Sequence, residues 1–301
     1  MMVEAETLRA AVSLGDLIEP VSRAFADYSA GLGETPLAVF APAGEQGDVH
    51  VKSAWLRGWP YFTVKVATWF AARTPATSGY IAVHSAATGD LLALLRDEHH
   101  LTDLRTAAAG AIAARLLACP DSTTLTVLGA GTQARLQTEA AAAVLPLERI
   151  LIWGRNPESA RTLATTLTTS GGPVVSAVSD PAEAVRQADV IVTATGSRAP
   201  VLHGSWLRPG QHITAVGADD LTKAELDPAC FARADVVAVD SRSLAPLFAG
   251  DLTGPIDAEL GELILGRHPG RTHPAQITVA KLIGLGIQDL AAATVAMEAL
   301  R

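Results

Sequence analysis

Residues Leu125 to Gln133, LTVLGAGTQ, decide the fold class of this chain. Leu125 to Leu128 are strand-forming residues, and the alanine-rich stretch from Gln133 to Val144 favours a helix. Between them, Gly129-Ala-Gly131-Thr-Gln-Ala134 matches the G-x-G-x-x-A pattern of a dinucleotide-binding turn. In such a turn the first glycine permits a tight bend, the second lets the backbone approach a pyrophosphate, and the helix N-terminus faces the negative charge. The pattern also occurs in ordinary turns, but the flanking strand and helix favour a nucleotide site.

The residues after the next strand indicate which nucleotide binds. This strand is predicted at Arg149 to Trp153, and Gly154-Arg155-Asn156 follows it. NAD-specific sites place an acid here for the ribose 2′-hydroxyl, whereas a guanidinium suits a 2′-phosphate. The first acid of this chain is Glu158, so the sequence favours NADP(H), with NAD(H) possible. The alternative is that Arg155 is only a solvated charge in a loop.

Length and composition bound the class of protein. A chain of 301 residues with 49% hydrophobic and 18% charged residues is typical of a compact soluble protein of two domains. A net charge of −8 argues against nucleic acid or an anionic membrane as the main partner. Cys119 and Cys230 have no metal-ligand spacing, which predicts buried thiols in a reducing compartment and no metal site. Without an apolar signal segment or a run long enough to span a membrane, we expect a cytoplasmic protein.

Residues 1–120 are predicted to form a helix followed by an antiparallel meander. Apolar residues recur at helical spacing between Leu8 and Ala30, and the period then changes to two. The predicted strands are Leu37–Ala41, Asp48–Ala54, Tyr61–Trp69, Tyr80–Ser85 and Leu91–Leu95. A meander leaves an exposed edge that a second copy can cover, so we expect a homodimer formed through this N-terminal sheet.

Three cations in this region are candidates for binding an anion. Lys52 and Lys65 stand in predicted strands, and the apolar neighbours of Lys65 favour an anion-facing side chain over a solvent-facing one. Arg105 stands near the start of a helix predicted from Leu101 to Cys119, a good position for a carboxylate or phosphate. The alternative for Arg105 is an ion pair with a nearby acid on the surface.

Strands and helices alternate after Trp153, which predicts a doubly wound parallel sheet over residues 121–281. The predicted elements are Pro157–Thr169, Val174–Val178, Pro181–Ala188, Val190–Thr195, Gly204–Leu207, His212–Val216 and Val236–Asp240. Ligands bind such sheets at the carboxyl ends of the strands. Asp219, after one of these strands, is placed for the nicotinamide end of a cofactor, although it could be a turn residue and Asp220 competes for either role.

The last segment is predicted to return to the first domain. Ile277 opens a strand, and a helix is expected from Asp289, which is interpreted as an N-cap and not as a catalyst. We expect residues 282–301 to complete the domain formed by residues 1–120.

Taken together, these features resemble the ornithine cyclodeaminase/μ-crystallin family over nearly the whole chain. The matching segments are Val64-Lys65-Val66, Leu104-Arg105-Thr106-Ala107-Ala108, Gly129-Ala-Gly131-Thr-Gln133-Ala, Ala188-Asp-Val-Ile-Val-Thr-Ala-Thr195, Val216-Gly-Ala-Asp219 with Lys223 and Glu225-Leu, and Gly284 to Asp289. The resemblance implies an α+β substrate and dimerisation domain, a Rossmann-type cofactor domain and an active site between them.

The resemblance also implies residue roles. Lys65 and Arg105 would hold the α-carboxylate of the substrate, and Asp219 would act as the acid or base at the reacting nitrogen, so Asp219 and Lys65 are the expected catalytic residues. Further substrate contacts are expected from Lys52 and His50. The expected cofactor-binding residues are Thr106, Gly129, Ala130, Gly131, Thr132, Gln133, Arg155, Asn156, Thr195, Val216 and Gly217.

This chain departs from the family pattern at three positions. Many members have an arginine where Leu37 stands and a methionine where Lys52 stands. Either the cations that bind the substrate carboxylate stand at different positions in this chain, or the substrate has a second anionic group. True cyclodeaminases have an acid at the position aligned with His50, which argues against ornithine. We therefore expect an NADP(H)-dependent reductase of a small imino acid, or an amino-acid dehydrogenase. The alternatives are an ornithine cyclodeaminase with bound NAD and a non-catalytic NADP(H)-binding protein.

Overall fold

The computed structural model describes residues 1–301, apart from the side chain of Glu45. It divides into two compact units, the first Met1–Ala108 with Leu285–Arg301 and the second Ala109–Gly284. The sequence placed these divisions at residues 120 and 282. The first division lies earlier because Ala114 and Ala118 pack in the core of the second unit.

The helices and strands follow in chain order. The first unit contains β1 (Met2–Glu4), α1 (Ala5–Ala11), α2 (Gly15–Ser29), β2 (Gly33–Glu34), β3 (Leu37–Phe40), β4 (Gly47–Leu56), β5 (Tyr61–Phe70), β6 (Thr77–Ser85), β7 (Leu91–Arg96) and the start of α3 (His100–Leu117). The second unit contains β8 (Thr124–Leu128), α4 (Thr132–Val144), β9 (Arg149–Trp153), α5 (Pro157–Leu167), β10 (Val174–Ala177), α6 (Pro181–Gln187), β11 (Val190–Thr193), β12 (Arg198–Leu202), β13 (His212–Ala215), β14 (Ala224–Leu226), α7 (Pro228–Ala232), β15 (Val236–Val239), α8 (Ala245–Phe248), β16 (Ala258–Glu259), α9 (Leu260–Ile264) and β17 (Thr278–Lys281). The last helix, α10 (Gly286–Ala299), belongs to the first unit.

The first unit is built on a seven-stranded sheet in the order β1-β7-β6-β5-β4-β2, with β3 also paired to β4. The five predicted strands correspond to β3 to β7, and β1 pairs in parallel with the edge of β7 that the sequence left open. One prediction was wrong: the helix expected from Leu8 to Ala30 is two helices, α1 and α2. The break occurs because Asp16 accepts hydrogen bonds from the backbone N–H and the hydroxyl of Ser13, which competes with helical continuation.

Helix α10 packs on one face of this sheet and is buried over most of its length. Its first residue, Gly286, lies so close to β4 that a Cβ there would be 2.5 Å from the carbonyl oxygen of Ser53. Alternation along β5 buries Tyr61, Thr63 and Lys65 on this face and leaves the opposite face half-buried. A lysine in the middle of β5 is therefore directed into the interior of the first unit.

The second unit is an eight-stranded parallel sheet in the order β10-β9-β8-β11-β13-β17-β15-β16. Strand order reverses between β8 and β11, which is the topological switch point where ligands bind in doubly wound folds. Apolar clusters cover both faces of the sheet, one around Val127 and Ile152 and the other around Ile191 and Val279. The predicted fold class, a doubly wound parallel sheet with an α+β domain, is confirmed.

The two cysteines differ in burial. Cys230 is buried as predicted, but Cys119 is only partly buried because it follows the end of α3.

Among the helices that the structure describes, none has the length and apolar character needed to cross a membrane.

Candidate functional site

The turn after β8 has the geometry that a dinucleotide requires. Gly129 has a φ of 143°, and a Cβ there would lie 2.4 Å from the carbonyl oxygen of Ala194, so only glycine fits. Gly131 is the N-cap of α4, and a Cβ added to it would meet no atom within 4 Å. The space at Gly131 is therefore open beside a helix N-terminus, which suits a pyrophosphate group.

The segment after β9 places a cation and a helix cap close together in the chain. Gly154 is required for close packing, because a Cβ there would lie 2.9 Å from the Cβ of Ala130. Arg155 is exposed. The Oδ1 atom of Asn156 accepts a hydrogen bond of 2.9 Å from the backbone of Glu158 and so caps α5. Glu158 is paired with Arg161 at 2.5 Å, which partly neutralises the nearest acid.

A buried glutamate ties together the loops that follow β11 and β13. Glu225 accepts hydrogen bonds from the backbone N–H of Thr195 at 2.6 Å and of Gly217 at 2.7 Å, and from the hydroxyls of Thr193 and Thr195. Burial raises the pKa of this carboxyl, an effect that the Lys281 ammonium and these hydrogen bonds oppose. Its backbone N–H donates to Asp251, which in turn lies 3.0 Å from the ammonium of Lys281. This network fixes two loops at the carboxyl edge of the parallel sheet.

Asp219 lies in the loop after β13 and is paired with Lys223 at 2.7 Å. Lys223 also lies 3.1 Å from Asp220. Burial lowers the pKa of Lys223, but the two carboxylates outweigh burial, so its pKa lies above the usual range. Asp219 is one-third exposed and is therefore accessible to a small molecule.

The three predicted cations of the first unit come together around one acid. Lys52 on β4 and Lys65 on β5 are direct cross-strand neighbours, and both are almost completely buried. The Oδ1 atom of Asp289, on α10, accepts hydrogen bonds from the Lys65 ammonium at 2.9 Å and from Arg105 Nε at 3.1 Å. Burial raises the pKa of Asp289, but Arg105, Lys65 and Lys52 outweigh it, so the carboxyl has a lowered pKa and is charged.

The interpretation of Asp289 as an N-cap was wrong. Helix α10 begins three residues earlier, its N-cap is Leu285, and the Asp289 side chain points to Lys65 and Arg105 instead of to the helix backbone. The alternative of a surface ion pair for Arg105 is also wrong, because Arg105 is 4% exposed and bonds to Asp289 and Gln288.

Several polar atoms in this cluster have no hydrogen-bond partner. Asp289 Oδ2 and Gln288 Nε2 are buried without one, although Gln288 Oε1 accepts from Arg105 at 2.5 Å. The same is true of Nε2 of His99, whose pKa is lowered by burial and by Lys65. Buried donors and acceptors without partners are costly, so these atoms mark a place where a polar ligand would be stabilised.

The positions of His50 and Thr106 do not by themselves assign these residues a role in binding. His50 lies two residues before Lys52 on the same face of β4, with its Nε2 3.5 Å from Asp48. The hydroxyl of Thr106 donates to the carbonyl of Thr102 within α3. Among the described residues, no group of three His, Cys, Asp or Glu side chains is arranged to hold a metal ion.

Comparison with known proteins agrees with the fold. The sequence model of the ornithine cyclodeaminase/mu-crystallin family matches residues 1–301. The ketimine reductase mu-crystallin of Mus musculus is 35% identical over 288 residues, which cover 92% of this chain and 90% of the relative. The structure of Thermococcus litoralis Delta(1)-pyrroline-2-carboxylate reductase in complex with NADH and L-proline has a TM-score of 0.94 and 29% identity, covering 99% of this chain and 97% of that chain. An archaeal alanine dehydrogenase dimer with bound NAD has a TM-score of 0.89 and 30% identity, covering 99% and 95%. The chain therefore belongs to the ornithine cyclodeaminase/mu-crystallin family.

Proposed function

We propose that this protein reduces the C=N bond of a small imino acid with a nicotinamide cofactor as the hydride donor. The observation that carries the proposal is the buried cluster in which Lys65 and Arg105 share a single carboxylate oxygen of Asp289. Two cations here share one anion, so a substrate carboxylate can supply a second negative charge to them. Two relatives named above are reductases, of a ketimine and of a pyrroline carboxylate, both of which contain C=N bonds.

The cations would set the position of the substrate. Arg105 presents a planar guanidinium and Lys65 a compact ammonium, a combination that can hold a carboxylate from two directions. Their contact with Asp289 restrains both side chains before the substrate arrives, so less conformational freedom is lost on binding. A fixed carboxylate sets the place of the adjacent C=N carbon, which lowers the barrier to reduction through orientation.

The second unit would hold the cofactor. Gly129 and Gly131, with the first N–H groups of α4, fit the pyrophosphate, because the turn is tight at the first glycine and open at the second. Glu225 holds the loops of Thr195 and Gly217 at the same carboxyl edge of the sheet. When bound, the reduced cofactor supplies the hydride that forms the new C–H bond, while the C=N π electrons become the lone pair on nitrogen. Asp219 would hold the proton at that nitrogen, so that the carbon is an iminium carbon when it is reduced.

The proposed cofactor is NADP(H). Arg155 is exposed where a 2′-phosphate would lie, and the nearest acid, Glu158, is engaged by Arg161. A carboxylate free to accept a hydrogen bond from a ribose 2′-hydroxyl would favour NAD(H) instead. Because two of the related structures contain NADH or NAD, the assay below compares NADPH with NADH.

We also propose that the protein is a homodimer formed through the sheet of the first unit. The half-buried face of this sheet carries apolar side chains, and exposed aromatic residues adjoin it, namely Phe40, Trp55, Trp69 and Tyr80. Exposed aromatic side chains at a sheet face favour an interface. Light scattering coupled to gel filtration measures the assembly, and a monomer at micromolar concentration would contradict the proposal.

The test of the activity is a cofactor oxidation assay. Purified protein is incubated with NADPH or NADH, ammonia, and pyruvate, glyoxylate, oxaloacetate or a cyclic imino acid, with the ammonia left out as a control for reduction of the ketone. We expect loss of reduced cofactor that depends on the imine. Absence of turnover with every substrate would contradict the proposal, and conversion of ornithine to proline and ammonia without net oxidation of cofactor would establish a cyclodeaminase instead.

A further inference from the structure

Lys281, the last residue of β17, places a charged group in the interior of the second unit. Its side chain is fully buried, and its Nζ atom lies 3.0 Å from Oδ1 of Asp251, which is also buried. Among the described residues, neither atom has a partner in hydrogen-bond geometry, so the pair lacks the bonds that normally offset the desolvation of two charges. Apolar side chains of similar volume would stabilise the fold at least as well. Stability alone therefore does not explain a lysine at this position.

The second oxygen of Asp251 holds β14 in place. Oδ2 accepts hydrogen bonds from the backbone N–H groups of Glu225 at 2.8 Å and of Leu226 at 3.0 Å. The residue before Asp251 packs against the same region, because a Cβ on Gly250 would lie 2.5 Å from the carbonyl oxygen of Lys223. Asp251 therefore links the buried ammonium to the chain that leads into β14.

Glu225 extends this link to the loops after β11 and β13. Its Oε1 atom accepts from the backbone N–H of Thr195 at 2.6 Å, and its Oε2 atom accepts from that of Gly217 at 2.7 Å. The segment from Gly217 to Glu225 is thus closed by a hydrogen bond between its two ends. Within it, Asp219, the proposed proton carrier, pairs with Lys223. The position of Asp219 therefore depends on how firmly Glu225 is held.

Lys281 also affects the charge of Glu225. Burial raises the pKa of the Glu225 carboxyl, and the Lys281 ammonium opposes this effect. Ionisable groups stand on several elements around this carboxyl, namely Lys281 on β17, Asp251 after α8, Asp227 and Cys230 at α7, and Asp219, Asp220 and Lys223 in its own segment. Burial raises the pKa of the Cys230 thiol, which is therefore uncharged. A protonated Glu225 would have one oxygen that donates a hydrogen bond, so it would not hold both loops as the carboxylate does.

Resting on the cofactor site proposed above, we propose that Lys281 is a positioning residue of that site, and that with Asp251 it keeps Glu225 in place and charged. Glu225 in turn keeps the loops of Thr195 and Gly217 in the arrangement that binds the nicotinamide cofactor. Loops that are already ordered lose less conformational freedom when the cofactor binds. Lys281 acts through Glu225 and takes no part in hydride or proton transfer.

The experiment measures cofactor affinity at two pH values. The Kd for NADPH and for NADH is measured by fluorescence titration at pH 6.5 and pH 8.5 for the wild type and for Lys281→Met, which removes the charge and keeps a side chain of similar length. We expect the Kd of the variant to exceed the wild-type value about tenfold at pH 6.5, the effect of one lost hydrogen bond to a charged group, and by less at pH 8.5. The sign follows from Glu225, because a lower pH favours the protonated carboxyl.

Two further variants separate positioning from stability. Val185→Ala removes two methyl groups from a fully buried side chain on α6, so it should lower Tm and keep the wild-type Kd at both pH values. Asp251→Asn breaks the ion pair, keeps an oxygen that can accept from the N–H groups of β14, and leaves the Lys281 ammonium to favour a charged Glu225. Its Kd should therefore rise by about the same factor at both pH values.

The outcomes distinguish this proposal from the proposed function. A wild-type Kd in Lys281→Met would overturn the proposal, as would a rise that is equal at the two pH values, since loss of packing alone would produce it. If Lys281→Met does not fold, Asp251→Asn decides, and a wild-type Kd in that variant overturns the proposal. Cofactor binding that is insensitive to both changes leaves the proposed function intact. Failure of the wild-type protein to bind either reduced cofactor removes the proposed function, and this proposal with it.

Discussion

The ammonium of Lys65 lies 2.9 Å from Oδ1 of Asp289, and the two side chains are 3% and 1% exposed. Two charges taken out of water are stabilised only when their remaining polar atoms find partners. Here Asp289 also accepts from Arg105, but its second oxygen has no partner. Burial lowers the pKa of Lys65, and a bound carboxylate would oppose this by favouring the charged ammonium. The arrangement therefore suits the proposed role, in which these cations bind an anion that arrives with the substrate.

Replacement of Asp289 by Asn should destabilise the first unit. The change leaves Lys65 and Arg105 buried without their counter-charge, and breaking a buried ion pair of this kind costs about 3 kcal/mol or more. Chemical denaturation followed by circular dichroism measures the loss. Asp121→Asn, at an exposed position, is the control and should unfold like the wild type. Equal stability of the Asp289 and Asp121 variants would show that the ion pair contributes nothing.

Replacement of Glu225 by Gln should weaken cofactor binding. The carboxylate accepts hydrogen bonds from the backbone N–H groups of Thr195 and Gly217. In the glutamine variant one of these N–H groups would lie against the side-chain NH₂, which is itself a donor, so that hydrogen bond is lost. We expect the Kd for reduced cofactor to rise about tenfold, the effect of one lost hydrogen bond to a charged group. Cofactor fluorescence titration measures Kd. Glu183→Gln, at a surface ion pair on α6, should bind like the wild type.

The pattern of the sequence located most strands of the parallel sheet in the second unit, but it missed the short strands β12, β14 and β16 and the polar interior of the first unit. Strands such as β9 were located to the residue because a short apolar run between turn residues has few alternative structures. The partners of Lys65 and Arg105 were missed because they lie more than 180 residues further along the chain. One signal was available: Gln288 and Asp289 are polar residues in a helix that is mostly apolar, and such residues need interior partners. The breaking of the first helix at Ser13 depended on a side-chain hydrogen bond that spacing does not reveal.

The stability of the second unit should fall in mild acid because of His212. This side chain is fully buried between the hydroxyls of Thr214 and Thr278, and burial, with a contribution from Arg271, lowers its pKa to about 3. The unfolded state binds a proton near pH 6.5 and the folded state does not, so stability is full above that pH and declines as the pH falls towards 3. Between pH 7.5 and pH 5 the expected loss from this group is about 2 kcal/mol.

Two variants isolate this titration. His212→Asn should be less stable at neutral pH but should lose less stability between pH 7.5 and pH 5 than the wild type. His273→Asn, at an exposed position, should keep the wild-type pH dependence. Parallel pH profiles for the wild type and the His212 variant would show that another group controls acid unfolding.

Replacement of Arg155 by Ala should change the preference between cofactors. If the guanidinium binds a 2′-phosphate, kcat/KM for NADPH should fall about tenfold or more, and that for NADH should change little, because NADH lacks the phosphate. Arg186→Ala, at a surface ion pair with Glu183 on α6, should leave the ratio of the two values unchanged. A wild-type protein that prefers NADH, with an unchanged ratio in the Arg155 variant, would assign the enzyme to NAD(H).

The two glycines of the turn after β8 separate folding from cofactor binding. Gly131→Ala should fold normally, because its φ of −96° is open to any residue and its Cβ would meet no atom of the protein within 4 Å. The same methyl group would occupy space that a pyrophosphate needs, so Kd for reduced cofactor should rise with no change in Tm. Gly129→Ala should instead lower Tm, since its Cβ would lie 2.4 Å from a carbonyl oxygen at a φ of 143°. If the Gly131 variant binds the cofactor with the Kd of the wild type, the pyrophosphate does not lie against this turn.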